Sequence, residues 1–199
     1  MKRFLTSAAV LGFTVRAASG ASAQDAPSTS PIQFGVMGGA TFPTSDFKDG
    51  LKTGLNAGVV FNLGWGTSPE GLRIDGQWNQ FNFKNEPLLD GSHYRVIDGT
   101  ADAVFNFGST SMAKFYLLAG AGVYNLKITN PSEDLGDFNR NAVTKFGLNG
   151  GAGLKFNLAG ISPFIEARYH YVFLSGDDFA NNGANPKLQM IPISVGLTF

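Results

Sequence analysis

Two histidines and a scatter of acidic and basic residues are the groups of this 199-residue chain that could do chemistry, and their spacing separates a site from a scaffold. His170 has no serine close by on its own segment; the nearest is Ser175, in the stretch that follows. A nucleophile–base pair of the hydrolase kind needs the two within hydrogen-bond reach, so a structural histidine is the better reading, and His93 falls in a loop. The segment holding Asp177, Asp178 and Asn182 invites a calcium loop, but Ala180 fills a ligand slot and no glutamate closes it. It reads as a solvated turn. With no cysteine in the chain, disulfides, thiolate metal sites and thiol catalysis are excluded. What remains is a set of seven charges, Arg73, Asp75, Asp98, Asp102, Lys155, Glu166 and Arg168, each on the polar parity of an alternating segment. No cofactor, metal site or catalytic residue is expected.

The elements that would carry those charges are strands. From Leu188 onward, Ile191, Ile193, Val195, Leu197 and Phe199 share one parity, and Met190, Pro192, Ser194, Gly196 and Thr198 the other. Phe146 to Leu158 repeats the pattern with glycine, asparagine and lysine on the second face, and Leu55 to Trp65 does so again. Five noisier segments follow the same rule: Ile32–Phe42, Leu72–Phe83, Arg95–Phe107, Phe115–Ile128 and Phe164–Phe173. Alternation over ten or more residues exceeds the usual globular strand of about five or six and matches the length a tilted strand needs to cross a bilayer. In the third segment Phe81 and Phe83 switch parity, and a bulge near Asn79–Gln80 would restore it.

The connections alternate in length. GTSPE, GSTSMA and AGIS are short, whereas 43–53, 84–93, 129–142 and 175–187 are long and polar, with a combined charge of about −4. All tight turns at one end and all long loops at the other is the asymmetry of a transmembrane barrel. Trp65, Phe105, Phe107, Phe115, Phe156 and Phe199 fall at the turn ends, and Phe42, Tyr124, Tyr171 and Phe173 at the loop ends, as two interfacial girdles would. A soluble barrel would bury a large apolar face and wet the other; here the second face is too small and polar for a dry core. Mean hydropathy is 0.00, because alternation dilutes the apolar face, and no run is long enough for a membrane helix.

Residues 1–23 read as a secretory signal: Met1-Lys2-Arg3, a short apolar run to Val15, and Ala21-Ser22-Ala23 before Gln24. Residues 24–31 read as a flexible leader, and 32–199 as one all-β domain, an eight-stranded antiparallel up-and-down barrel. Without the signal the chain keeps 12 basic and 15 acidic residues, net −3, which argues against nucleic acid as a partner.

Three stretches carry a family resemblance: FGVMGGATFP after the leader, KFYLLAGAGVYN in the fifth segment and IPISVGLTF at the end. The chain resembles the OmpA-like eight-stranded outer-membrane barrels in their stand-alone form, without the peptidoglycan-binding domain of longer relatives. The resemblance implies a monomer in the outer membrane, surrounded by its lipid, with both termini periplasmic. It also implies that Ile193, Val195, Leu197 and Phe199 form the terminal signal read by the barrel assembly machinery.

The bore of an eight-stranded barrel is just wide enough for its side chains to fill. The seven inward charges should therefore pair, with Glu166 and Arg168 at the centre: Glu166 with Arg73 or Lys155, and Arg168 with Asp98 or Asp102. The leading reading is a non-catalytic barrel serving envelope integrity or surface interaction through four loops. A narrow channel for small solutes, of the porin kind, is the alternative, and a lipid-modifying enzyme the third.

Overall fold

A computed structural model describes residues 32–64, 70–84, 91–107, 113–129, 142–158, 160–174 and 187–199. The signal, the leader, Trp65 and the Asp177–Asn182 segment lie outside the described residues. Eight strands, β1 (Ile32–Thr44), β2 (Gly54–Leu63), β3 (Glu70–Asn82), β4 (His93–Phe107), β5 (Ala113–Thr129), β6 (Val143–Phe156), β7 (Ser162–Phe173) and β8 (Lys187–Thr198), form a closed barrel in sequence order. Every neighbouring pair is antiparallel, and β1 closes the ring on β8. The connections of five or six residues all lie at one end and those of nine to thirteen at the other. In the short turns, Gly64 and Gly160 take φ of 81° and 82°, a left-handed conformation that costs other residues strain.

The alternation sorts as a membrane barrel requires. Phe34, Leu55, Val59, Phe61, Ile74, Leu117, Leu148, Ile165 and Val195 are exposed on the outer wall, while their sequence neighbours are buried inward. Hydrophobic groups on an outer surface are stable only against an apolar solvent.

Four expectations are corrected. β3 has no bulge: its pairing with β4 runs unbroken from Glu70↔Phe105 to Asn82↔His93. Phe81 instead points inward and is wholly buried, against Tyr94, Val96, Tyr124, Leu126, Val172, Leu188 and Met190. The inner face is thus not polar throughout. At the loop end it becomes an apolar layer, completed by Leu51, which follows a four-residue helix, α1 (Phe47–Gly50), and bridges to Phe83. Tyr124 belongs to this inner layer and not to a girdle. His93 is the first residue of β4, bonded through Nδ1 to Asn82 Oδ1 at 2.8 Å, and not a loop residue.

One ladder is interrupted. β7 and β8 pair from Ser162↔Thr198 to Ala167↔Ile193 and resume at His170↔Met190 in the same register. Pro192 occupies the gap; it has no N–H to offer the ladder.

Candidate functional site: the lumen ion-pair cluster

The inner wall is layered. From turn end to loop end, β7 presents Phe164, Glu166, Arg168, His170 and Val172, and β3 presents Arg73, Asp75, Gln77, Asn79 and Phe81. An apolar layer closes the loop end and charge fills the middle. Toward the turn end, Met37, Val60 and Phe164 form one small apolar cluster and Val104, Tyr116 and Leu118 another, with Asn62, Lys155 and Thr198 buried beyond them.

In the middle layer two arginines interlock with the carboxylates. Arg73 donates to Glu166 through Nη1 at 2.6 Å and Nη2 at 3.3 Å, and to Asp75 Oδ1 through Nε at 2.7 Å. Arg168 donates through Nε to Glu166 Oε1 at 2.6 Å, through Nη2 to Asp75 Oδ2, and lies 3.3 Å from Asp102 Oδ2 through Nη1. Glu166 and Asp75 are each shared by both arginines. Tyr116 adds its hydroxyl to Glu166 Oε2 at 2.6 Å, Thr100 donates to Asp102 at 3.0 Å, and the Phe164 ring lies 5.4 Å from the Arg73 guanidinium. A forked guanidinium suits such shared, bidentate contacts as an ammonium does not.

Close approach here depends on missing side chains. A Cβ at Gly151 would run into Arg168 and the Ala167 carbonyl, and one at Gly153 into the Tyr116 ring. The large inward groups lie across glycines of the adjoining strand, which explains why a glycine-rich inner face can be full.

Of the alternative partners read from the sequence, Arg73 takes Glu166 and Asp102 lies against Arg168, while Lys155 and Asp98 stay outside the cluster. Asp98 does not reach an arginine; its Oδ2 accepts from Asn79 Nδ2 at 3.1 Å, and its Oδ1 has no hydrogen-bond partner. It stands one layer nearer the loops than the cluster. Lys155 does not serve Glu166: it pairs in register with Phe164 near the turn end and donates to Gln33 Oε1 at 2.5 Å. Glu166 and Arg168, expected to find their partners across the bore, also bond to each other.

Sequence reading missed the amide layer. Ser194 donates to Asn56 at 2.9 Å, Asn56 to Thr41 at 3.1 Å, and Thr41 to Asn79 at 2.6 Å, leading to Asp98. Parity alone would have placed all of these inside. His170 is fully buried, with Nδ1 at 2.9 Å from the Tyr124 hydroxyl and Nε2 without a partner. Among the described residues no group of three or more His, Cys, Asp or Glu could hold a metal. Ile193, Val195 and Leu197 are exposed on the outer wall of β8, and Phe199 stacks obliquely on Phe34 at 5.7 Å, its backbone paired with Phe34.

A closed antiparallel barrel with an apolar outside and a polar middle inside points to one class of protein, and the family comparison agrees. Residues 6–199 match the model of the outer membrane protein beta-barrel domain. The chain belongs to that family. Among solved structures, this outer-membrane barrel is similar to Neisserial surface protein A, at TM-score 0.60 and 14% identity over 85% of this chain and 96% of that one. It is also similar to the outer membrane protein OprG of Pseudomonas aeruginosa, at TM-score 0.52 and 14% identity over 84% of this chain and 95% of that one. At such identities the likeness concerns the fold. A search of curated proteins found no match. The eight-stranded outer-membrane barrel is therefore the architecture in which the ion-pair cluster has to be understood.

Proposed function

We propose that this outer-membrane barrel is non-catalytic and non-conducting, and that it serves envelope integrity or surface interaction through its four long connections. In this reading the long connections face outward and both termini face the periplasm. The observation that carries it is the filled lumen. An apolar layer at the loop end covers a middle layer in which Arg73, Arg168, Asp75 and Glu166 are nearly fully buried. An ion path needs a continuous polar track, and Leu51, Phe81, Tyr94 and Tyr124 interrupt it at the loop end. His170 lies beneath that layer with no exposed surface, a poor position for a base acting on lipid. Function then belongs to the outer surface and the loops, where scaffolded barrels commonly carry it.

Planar-bilayer recording of the purified protein tests the reading. The expected trace is free of discrete openings. Stable, large unitary conductance in the unaltered protein would replace it with the channel alternative.

A further inference from the structure

The outer wall carries few charges, and they are segregated. Among the described outward residues of the eight strands, the cations are Arg95, Lys127 and Lys187, all at the loop end, and the single acid is Glu70, at the turn end. Arg95 and Lys127 are direct cross-strand partners, with Gln80 on the other side of Arg95. Like charges placed opposite each other on one face of a sheet repel. Among the described residues neither has an ion-pair partner, and Arg95 Nε is a buried donor with no acceptor. One register step toward the membrane centre stand Trp78, Ile97 and Asn125, the amide of Asn125 engaged by Thr144 on β6, and Val123 follows one step further. Trp78, Ile97 and Val123 are exposed, so the wall below the pair is mainly apolar. A cationic pair above an apolar wall complements a molecule with an anionic head and a hydrocarbon body.

We propose that Arg95 and Lys127 form a binding site for the phosphate of an outer-leaflet glycolipid, its acyl chains lying along the β3–β5 wall. The inference rests on the outward orientation of the loops given above. A guanidinium beside an ammonium matches a phosphate with charge-assisted bonds, and the bound anion cancels the repulsion between them. Simple snorkelling, in which each head group merely reaches water, predicts no preference for phosphate.

Native mass spectrometry of the folded protein in detergent micelles distinguishes the two, using bisphosphorylated lipid A and the same lipid with both phosphates removed. The unaltered protein should retain the phosphorylated lipid at least tenfold more tightly. Arg95→Gln/Lys127→Gln should abolish that preference, whereas Lys187→Gln should keep it; heat-modifiable gel mobility shows that each variant is folded. Equal retention of both lipids by the unaltered protein, or an unchanged preference in the double variant, overturns the site. Inorganic phosphate at millimolar concentration should not displace the lipid. Displacement, with inorganic phosphate itself binding through Arg95 and Lys127, would make the ligand a free anion and overturn the lipid assignment. Orientation is read separately, by labelling loop cysteines on intact cells. Labelling only after the outer membrane is breached, with phosphate preference intact, sinks the orientation and not the binding chemistry.

Discussion

Arg168→Met is the most informative single perturbation of the lumen, because the arginine reaches three carboxylates at once. The middle of the bore holds two guanidinium groups, Arg73 and Arg168, against Asp75, Asp102 and Glu166, all nearly fully buried, with Asp98 one layer nearer the loops. Removing one guanidinium leaves a single positive group beside three acids. At an effective dielectric of about 20, a unit charge pair near 4 Å contributes about 4 kcal/mol. Three such attractions are lost, offset by relief of the repulsion from Arg73 and by the desolvation that Arg168 no longer has to bear. Breaking a buried pair by removing one partner typically costs ~3–5 kcal/mol, and methionine refills most of the volume, so the charge effect dominates over a cavity. Urea unfolding of the refolded barrel in phospholipid vesicles, followed by tryptophan fluorescence, should show a loss in that range. Adding Asp102→Asn should restore part of it, with a coupling of about 1 kcal/mol or more in a double-mutant cycle. A loss below about 1 kcal/mol, together with no coupling to Asp75, Asp102 or Glu166, would refute the account of the lumen as a mutually neutralising network.

Two further predictions address packing and topology. Gly153→Val should destabilise by roughly 1–3 kcal/mol, since its side chain enters the space of Tyr116, whose hydroxyl serves Glu166; Gly150→Ala, with ordinary clearance on the lipid side, should change stability far less under the same urea titration. Single cysteines at Asp49 and Asp134 should react with an impermeant thiol reagent on intact cells, while those at Ser68 and Ser111 react only after the outer membrane is breached. Labelling that ignores the long–short division of the connections would count against the outward-loop orientation.

The barrel was legible because period-two alternation states directly which side faces lipid, and because connection length alternates with it. The layering inside was not legible. An inward face that changes from charge to hydrocarbon along one strand leaves no parity rule to read, so Phe81 looked like a register error and Tyr124 like a girdle residue. Glycine hid the rest: a position without a side chain gives no sign that Arg168 or Tyr116 lies across it. That all seven charges face inward could be read from parity. Their pairing could not, because partners across the bore depend on how far each strand is offset around the ring. Asp98 and Lys155 sit on the right face and at the wrong height.

The ion pairs also say something about how such a chain must close. β3 and β7 are four strands apart in either direction around the ring, and Arg73–Glu166 and Arg168–Asp75 both join them, each across 93 residues of sequence. These contacts are spokes, and no half-finished sheet can make them. Until β8 meets β1, the arginines and acids need water, and a partly rolled barrel that buried them early would carry the full penalty of unpaired charge. The cluster therefore works against premature collapse and rewards only the completed ring. It then braces the cylinder across its diameter at the level where Pro192 leaves the β7–β8 ladder open. Backbone stitching lapses at one seam, and the spokes hold that stave in place from the opposite wall.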